Sequence, residues 1–432
     1  MDIIDELSWR GLVAITTDLD ELREALDAGQ VTFYGGFDPT APGLHIGNLV
    51  LLLTMRRFQL AGHKPIGLVG GATGLIGDPS GKSSERVLNS RDVVADWVQK
   101  IRDEVSKFLD FESDQNGALI VSNLEWTEPM SALEFLRDVG KHFSVNRMLE
   151  RESVKARLEG GGISYTEFSY QLLQANDFLE LHRRYGCTLQ LGGSDQWGNL
   201  VSGTGLIRSV EGASVHALAT PLITKPDGTK YGKTAGGAIW LSPQLMSPYA
   251  FYQFWLNVSD AEVANLLRVF SFKSRTEIEE LERLTSEEPA RRAGQRALAE
   301  ELTTLVHGSD ECARAAAAGR ALFGQGKLDE LDPATLAAAV AELDPFVVSG
   351  QDLPPVANLM ASAGVVPSVS AARRAIEEGG AYVNNAKVGD TGAVPRAEDL
   401  LHGRYLILRR GKRTVGAVEI GANTSDSGTE LA

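Results

Sequence analysis

The sequence has only two cysteines and no long hydrophobic run. Cys187 and Cys312 lie in no CxxC pattern, which argues against a disulfide framework and against a cysteine zinc site. The most hydrophobic run, residues 49–53 (LVLLL), is too short to cross a bilayer. The first residues, MDIIDELSWRG, are acidic and lack the basic start of a signal peptide. These absences predict a cytoplasmic protein without a membrane partner.

The chain also lacks an excess of positive charge. Lys and Arg number 42 and Asp and Glu 57, a net charge of −15, which argues against binding of nucleic acid by the whole surface. The distribution is uneven, because residues 404–413 (RYLILRRGKR) are basic and contain no acidic residue. With 432 residues, of which 43% are apolar, the chain is long enough for two or three folded domains.

Strand-like and helix-like segments alternate in the first half of the chain. Residues 45–60 and 165–185 have the pattern of helices, and short apolar segments lie around them. This alternation predicts an α/β fold with a Rossmann-like parallel sheet, in which ligands bind beyond the carboxyl ends of the strands. The predicted strands are residues 31–37, 64–69, 118–123 and 188–192.

The composition changes after about residue 220, and this change predicts the domain organisation. Residues 243–343 are rich in Ala, Leu, Glu and Arg, which favours helices. Prolines and a glycine in residues 344–355 indicate a linker. The predicted parts are a Rossmann-like domain (1–220), an α-helical domain with a basic loop (221–343), the linker, a small α+β module (356–420) and a disordered tail (421–432).

The first candidate site is the segment 34–48 (YGGFDPTAPGLHIGN), which leads from a strand into a helix. Its glycines permit close approach of the backbone to a ligand, and the N–H groups at the helix start attract phosphate. His45 and Asn48 lie three residues apart on one face of the first turn, so both can reach one ligand. The alternative is a Pro/Gly turn that ends in a capping histidine.

Two further glycine-rich segments follow predicted strands. Residues 70–82 (GGATGLIGDPSGK) match neither the dinucleotide fingerprint nor the phosphate-loop spacing. Asp78 would repel phosphate and suits an ammonium group, while the alternative is a tight turn capped by this aspartate. Residues 192–199 (GGSDQWGN) again place glycine, carboxylate and amide groups at the end of a strand.

The helix predicted over residues 165–185 carries a polar stripe. Tyr170, Gln174 and Asp177 fall at i, i+4 and i+7 on one face, and apolar residues flank them. Polar groups on a largely buried helix are costly unless they meet a ligand or one another. The stripe therefore favours the wall of a pocket over a solvated face.

A basic segment, residues 225–234 (KPDGTKYGKT), combines a predicted turn with three lysines and two glycines. Lysines on such a loop suit a polyphosphate leaving group. The alternative is an ordinary basic loop at the surface.

Together, and in this order, these segments resemble those of the bacterial tyrosyl-tRNA synthetases, a family of class I aminoacyl-tRNA synthetases. Residues 45–48 (HIGN) stand at the family's HIGH motif and residues 230–234 (KYGKT) at its KMSKS motif, and the resemblance covers about residues 1–420. Asn48 and Thr234 depart from the usual histidine and serine but keep a hydrogen-bonding group. Gly35 stands where some relatives have a cysteine.

The resemblance implies a two-step reaction. L-tyrosine attacks ATP, giving tyrosyl-adenylate and pyrophosphate, and the 3′ end of tRNA(Tyr) then accepts the tyrosyl group. Mg²⁺ is expected to arrive with ATP, and no metal site of the protein is expected. The implied tyrosine-binding residues are Tyr34, Asp78, Tyr170, Gln174, Asp177 and Gln196. The implied ATP-binding residues are Gly36, Asp38, Gly47, Gly193, Asp195 and Lys233, and the implied catalytic residues are Thr40, His45, Asn48, Lys82, Arg86, Lys230, Lys233 and Thr234.

The segment 368–390 (SVSAARRAIEEGGAYVNNAKVGD) resembles the small RNA-binding module of ribosomal proteins and of these synthetases. Its alternative is a solvated amphipathic helix and hairpin. The family further implies a homodimer, formed through helices at about residues 125–160. The implied RNA-binding residues are Arg373, Arg374, Arg409, Arg410, Lys412 and Arg413.

Three other functions compete for the same residues. A tryptophanyl-tRNA synthetase is disfavoured by Tyr34 and Asp177, which suit a phenol better than an indole. A non-catalytic RNA-binding paralogue would be expected to lack His45 or the lysines of residues 230–234, and both are present. A nucleotidyltransferase with an HxGH-type loop leaves the C-terminal module and the long helical domain without a role.

Overall fold

The computed structural model describes residues 2–79, 88–160, 162–224, 229, 231, 233–234, 237–349 and 352–421. The predicted site residues Lys82, Arg86 and Lys230 lie outside these residues, as does the predicted tail beyond residue 421. The chain packs as two compact units. Unit 1 comprises residues 1–245 and 259–294, and unit 2 comprises residues 246–258 and 295–432.

Unit 1 is built on a six-stranded sheet with the order β1-β6-β5-β2-β3-β4. Strands β2 to β6 are parallel to their neighbours, and only the short edge strand β1 is antiparallel. The chain order reverses between β2 and β5, which is where open α/β sheets bind ligands. The predicted Rossmann-like fold is confirmed. The strands are β1 (Ile15–Thr16), β2 (Thr32–Phe37), β3 (Lys64–Val69), β4 (Leu119–Ser122), β5 (Cys187–Gly193) and β6 (His216–Thr220).

Helices of unit 1 connect these strands. The first eleven are α1 (Ile3–Trp9), α2 (Leu19–Ala28), α3 (Ile46–Leu60), α4 (Thr73–Ile76), α5 (Arg91–Val105), α6 (Leu124–Thr127), α7 (Ala132–Glu134), α8 (Val145–Leu149), α9 (Glu152–Gly160), α10 (Tyr165–Tyr185) and α11 (Trp197–Glu211). Short 3₁₀ or π turns cover Phe135–Val139, Gly140–His142, Ser194–Gln196 and Pro289–Arg291. A small hairpin, β7 (Lys233–Thr234) and β8 (Gly237–Ala238), follows β6. None of the helices in the described residues is long and apolar enough to cross a membrane.

The segment 259–294 returns to unit 1 after a passage through unit 2. Two buried arginines hold the end of its first helix. Arg10 donates to the carbonyl oxygens of Arg268 (2.9 Å) and Ser271 (2.7 Å), and Arg57 donates to that of Val269 at 2.9 Å. These bonds satisfy carbonyls that a helix end leaves without intrahelical partners. Residues 259–294 contain the helices Asp260–Phe270 and Arg275–Glu287.

Unit 2 contains a helical part and a small five-stranded sheet with the order β11-β10-β12-β13-β9. Strand β9 is parallel to β13, and the other pairs are antiparallel. The strands are β9 (Phe346–Val348), β10 (Ala381–Val383), β11 (Ala386–Lys387), β12 (Tyr405–Arg410) and β13 (Thr414–Ile420). The two helices of residues 259–294 in unit 1 are numbered α13 (Asp260–Phe270) and α14 (Arg275–Glu287). The helices of unit 2 are α12 (Pro248–Leu256), α15 (Ala293–His307), α16 (Ser309–Leu322), α17 (Pro333–Ala341), α18 (Val356–Ser362) and α19 (Val369–Glu377). A 3₁₀ turn covers Ala397–Asp399.

Two features of the predicted organisation differ from the structure. Residues 221–343 do not form one helical part, because residues 221–245 and 259–294 pack in unit 1 and the others in unit 2. The predicted linker, residues 344–355, contains β9, which pairs with β13. A three-residue apolar segment between proline and glycine gives no strand signal by itself, and its partner lies about 70 residues further along the chain, where Val418 pairs with Phe346.

Candidate active site

The candidate site is a cavity of about 510 Å³ at the carboxyl ends of β2, β3, β5 and β6. Its lining includes every predicted tyrosine-binding residue and every predicted ATP-binding residue whose side chain is described. The sheet brings these residues together because the carboxyl ends of parallel strands meet at one edge. The predicted residues in the lining are Tyr34, Gly36, Asp38, Thr40, His45, Gly47, Asn48, Asp78, Tyr170, Gln174, Asp177, Gly193, Asp195 and Gln196.

Tyr34 and Asp177 form the most deeply buried polar part of the cavity. Tyr34 is 1% exposed and Asp177 is 2% exposed. The Tyr34 hydroxyl has no hydrogen-bond partner in the described part of the chain, and its ring centroid lies 5.3 Å from that of Phe178. Burial, with a smaller contribution from the nearby Asp177 charge, raises the pKa of Tyr34 well above 10. Tyr34 therefore stays a neutral phenol that can donate a hydrogen bond.

Two side chains hold the Asp177 carboxyl group from the side of β4. Asn123 donates from Nδ2 to Oδ2 of Asp177 at 2.9 Å, and Trp126 donates from Nε1 to Oδ1 at 2.8 Å. Burial raises the pKa of Asp177 to about 7, and these two bonds partly oppose the shift. Each carboxylate oxygen still has lone pairs for a further donor. Asp177 can therefore accept a hydrogen bond from a ligand in the cavity.

A chain of hydrogen bonds leads from this end of the cavity to Asp38. Asn123 also donates to Oγ1 of Thr73 at 2.9 Å, and Thr73 donates to Oδ1 of Asp38 at 2.6 Å. The Tyr170 hydroxyl donates to Oδ2 of Asp38 at 2.5 Å. A Cβ at Gly70 would lie 2.0 Å from Oδ1 of Asp38, so a glycine is required there. The network fixes Asp38 and Tyr170 relative to Asp177.

Asp78 and Gln196 meet in the lining of the cavity. Gln196 donates from Nε2 to Oδ2 of Asp78 at 2.5 Å, and Asn199 donates to Oε1 of Gln196 at 2.9 Å. Two amide oxygens of the lining, Oε1 of Gln174 and Oε1 of Gln190, are buried without a partner in the described part of the chain. Leaving such groups unpaired costs about 1–3 kcal/mol each. The cavity is thus built for a ligand that donates hydrogen bonds.

The other end of the cavity lies at the start of α3. His45 is the N-cap residue: its Nδ1 accepts the Gly47 N–H at 3.1 Å, and Oδ1 of Asn48 accepts the His45 N–H at 3.1 Å. A Cβ at Gly47 would lie 2.8 Å from the His45 ring. His45 thus caps the helix, as in the alternative interpretation of this segment as a turn with a capping histidine. Both side chains nonetheless line the cavity, where the helix start favours an anion.

The basic segment after β6 is only partly described. Lys230 lies outside the described residues, and for Lys233 and Thr234 only the backbone is described, as strand β7. Tyr231 lines the cavity together with Ala238 of the paired strand.

Gly35, which the sequence singled out, is explained by its neighbour. A Cβ at this position would lie 2.6 Å from the sulfur of Met55 on α3. Any side chain at Gly35 requires Met55 to move. The glycine thus allows close packing of β2 against α3.

In the C-terminal module, five of the six predicted RNA-binding residues are exposed: Arg373, Arg374, Arg410, Lys412 and Arg413. Arg409 needs a correction, because it is 7% exposed. Its guanidinium lies 4.2 Å from the centre of the Tyr382 ring and donates to the Gly411 carbonyl oxygen. Arg409 and Arg410 are neighbours in β12, so their side chains point to opposite faces of the sheet.

The sequence analysis missed several residues of the site. Asn123 carried a signal, since it ends a predicted strand at the edge where polar residues gather. Gln190 is a polar residue in the middle of an apolar strand, which was also a usable signal. Thr73 and Trp126 carried none, because each acts through a side-chain bond to a residue far away in the sequence.

Comparison with known proteins identifies two family models in this chain. The model for "tRNA synthetases class I (W and Y)" matches residues 26–324. The model for a "Tyrosine--tRNA ligase SYY-like C-terminal domain" matches residues 336–416. The first match covers the cavity and both units in part. The second covers the small five-stranded sheet except for the end of β13.

Relatives match over nearly the full chain. A tyrosine–tRNA ligase of Streptomyces avermitilis is 64% identical over 421 residues, which are 97% of this chain and 99% of that protein. A tyrosine–tRNA ligase of Thermobifida fusca is 59% identical and covers 96% of this chain and 99% of its own length. The solved structure of a C-terminally truncated mitochondrial tyrosyl-tRNA synthetase of Aspergillus nidulans is 30% identical, with a TM-score of 0.68, and the match covers 74% of this chain and 94% of that one. The chain therefore belongs to the tyrosine–tRNA ligases, within the class I tRNA synthetase family.

Proposed function

We propose that the cavity of unit 1 joins L-tyrosine to ATP, forming tyrosyl-adenylate and pyrophosphate, and then transfers the tyrosyl group to the 3′ end of tRNA(Tyr). The observation that carries this proposal is the pair Tyr34 and Asp177 at the buried end of the cavity. A donor without a partner and a carboxyl group with spare lone pairs suit the hydroxyl of a phenol, which both donates and accepts.

This pair also gives the selectivity of the site. Phenylalanine lacks the hydroxyl, so its binding would leave the Tyr34 hydroxyl and the Asp177 carboxyl group buried without a ligand partner. A site built to hydrogen-bond a hydroxyl rejects an analogue that lacks it, because the desolvated groups stay unsatisfied.

The ammonium group of the substrate would bind between Asp78, Tyr170 and Gln174. Asp78 supplies the charge, and Oε1 of Gln174 is a buried acceptor without a partner in the described residues. Gln196, which holds Asp78, would contact the substrate near its carboxylate. The tyrosine would thus lie with its phenol towards Asp177 and its carboxylate towards the start of α3.

ATP would bind along the open end of the cavity. Asp38, Gly193 and Asp195 would hold the nucleoside, with Asp195 at the ribose hydroxyls, and Gly36 and Gly47 leave room for it. The triphosphate would lie at the start of α3, near Thr40, His45 and Asn48, whose position suits an anion. The basic residues Lys82, Arg86, Lys230 and Lys233, with Thr234, would complete this part.

The chemistry needs no covalent intermediate with the protein. The tyrosine carboxylate attacks the α-phosphorus, and pyrophosphate leaves as the bond to the β-phosphate breaks. The protein contributes alignment of the two reactants and stabilisation of the charge on the phosphates. Mg²⁺ would enter as its complex with ATP, and no group of three or more metal-ligating side chains is present among the described residues.

The second step requires tRNA, and the exposed basic residues of the C-terminal module would bind its phosphates. Arg373 and Arg374 lie on α19, and Arg410, Lys412 and Arg413 lie at the turn between β12 and β13. Salt-dependent phosphate contacts of this kind position RNA without reading its sequence. We place the reaction in the cytoplasm, and the buried cysteines Cys187 and Cys312 form no disulfide.

We further propose a homodimer that forms through residues 125–160. Several large apolar side chains in and beside this segment are exposed, and a second copy of the chain would cover them. Apolar side chains that cluster on a surface indicate an interface. They are Leu133 (81% exposed), Leu136 (51%), Val145 (59%), Leu149 (38%) and Leu158 (48%).

Tyrosine-dependent exchange of pyrophosphate into ATP tests the first step directly. The purified chain should catalyse this exchange with tyrosine and not with tryptophan or without an amino acid. Charging of tRNA(Tyr) should then follow on addition of the RNA. Exchange with tryptophan alone, or exchange that needs no amino acid, would refute the proposed function.

A further inference from the structure

The start of the HIGN segment is joined to residues 239–241 by a backbone bridge. Ile46 donates its N–H to the carbonyl oxygen of Ile239 at 3.0 Å, and Leu241 donates to that of Leu44 at 2.8 Å. His45 and Trp240 stand opposite each other in this antiparallel pair, with ring centroids 6.2 Å apart. Residues 239–241 directly follow strand β8 of the basic hairpin.

A buried carboxyl group fixes the outer side of the same bridge. Glu104, at the end of α5, accepts the Leu44 N–H through Oε2 at 2.6 Å. Glu104 is 7% exposed, and in the described part of the chain no Lys, Arg or His forms a salt bridge with it. Burial raises its pKa, while the bond from Leu44 partly opposes the shift. Burial of a carboxyl group costs free energy unless hydrogen bonds offset it.

The surroundings of Glu104 are fitted to this contact. A Cβ at Gly43 would lie 3.0 Å from Oε1 of Glu104 and 3.0 Å from Cδ1 of Leu245. The glycine therefore lets the carboxyl group reach the backbone just before His45. Leu44 is then held at both polar groups, by Glu104 at its N–H and by Leu241 at its carbonyl oxygen.

We propose that Glu104 is a positioning residue for adenylate formation: through Leu44 it holds His45 and the segment after the KYGKT hairpin in one backbone framework. Glu104 itself does not line the cavity. Its effect is on the relative position of two phosphate-binding parts, and a small misplacement of such parts costs up to about 100-fold in rate. This inference rests on the proposed function.

The test compares three variants in tyrosine-dependent pyrophosphate exchange. Glu104→Ala removes the acceptor and should lower kcat about 10- to 100-fold, while the dissociation constant of tyrosine stays within about twofold. Glu104→Gln keeps an acceptor oxygen and should retain kcat within about threefold. Ile101→Ala, on the same helix and buried, is the matched control, since it loosens α5 without removing the bond.

The outcomes separate the inference from the proposed function. Equal loss of kcat in Glu104→Ala and Ile101→Ala, or a parallel loss of tyrosine binding, would mean that Glu104 only stabilises the fold. If Glu104→Ala does not fold, Glu104→Leu, which fills the space but accepts no hydrogen bond, takes its place, and an unchanged kcat there overturns the inference. A wild-type protein without tyrosine-dependent exchange overturns the proposed function itself.

Discussion

Replacing Asp177 with asparagine should remove a pH-dependent loss of stability from the ligand-free protein and lower its activity. The reason lies in the pKa of about 7 that burial gives to this carboxyl group, compared with 3.8 in its ordinary state. Below pH 3.8 the group is protonated in both the folded and the unfolded chain. Between pH 3.8 and 7 only the unfolded chain loses the proton, so the folded state loses stability as the pH rises, and above pH 7 the loss is complete.

The size of the effect follows from the shift. Each pH unit inside that window costs about 1.36 kcal/mol, so wild type loses about 2.7 kcal/mol through Asp177 between about pH 5 and pH 7. The amide of the Asp177→Asn variant would have no proton to lose. For a unit of this size 1 kcal/mol moves the unfolding midpoint by about 2 °C. As the pH rises from about 5 to about 7, the unfolding midpoint of Asp177→Asn should therefore rise by about 5 °C relative to that of wild type.

Scanning calorimetry of the ligand-free proteins at about pH 5 and about pH 7.5 measures this difference. Glu180→Gln is the control, because it removes the same charge from the same helix. Glu180 forms salt bridges with Arg183 and Arg184, so its loss should lower the midpoint at neutral pH or leave it unchanged. If the midpoint difference between Asp177→Asn and wild type does not change with pH, or changes in favour of wild type, burial does not raise the pKa of Asp177 as stated. Tyrosine binding by the variant should weaken about 10- to 100-fold, as for loss of a charged hydrogen bond.

Three other changes test the remaining parts. Tyr34→Phe should lower kcat/KM for tyrosine about 3- to 10-fold, with kcat/KM for phenylalanine unchanged, because one neutral hydrogen bond to the ligand is lost; equal losses for both amino acids would contradict this role. Lys233→Ala should nearly abolish pyrophosphate exchange and leave tyrosine binding intact, as measured by equilibrium dialysis. Arg410→Ala should raise KM for tRNA in a charging assay and leave the unfolding midpoint unchanged. Arg409→Ala should lower the unfolding midpoint in calorimetry, since Arg409 is buried. The reverse pattern would contradict the roles assigned to both arginines.

The parts of the fold that the sequence predicted are those with local signals. The helix predicted over residues 165–185 agrees with α10 at both ends. Ser164 caps its start by accepting the Glu167 N–H, and Gly186 ends it with a φ of 64°. Both signals are readable from neighbouring residues. The polar stripe on this helix could be read in the same way, because its members share one periodicity.

The parts that could not be predicted depend on distant partners. Trp126 reaches Asp177 across 51 residues from a helix of four residues, and no pattern around it marks that bond. Strand β9 forms because it pairs with the distant strand β13. Sequence patterns over a few residues carry no information about such a pairing. The burial of Arg409 follows from the register of β12 against β10, where it pairs with Tyr382. A run of basic residues alone does not say which of them face the solvent.

The division of the chain has a consequence for any attempt to work with fragments. A fragment that stops at residue 245 lacks Phe270, which lines the cavity. A fragment that continues to residue 294 gains Phe270 but carries α12 without its packing partners, including His307, whose ring lies 4.9 Å from that of Phe251. Phe251 and Trp255, both fully buried in the whole chain, would then meet water and promote aggregation. Chimeras between relatives consequently have to exchange both stretches of a unit together, because a single crossover point always splits one of the two cores.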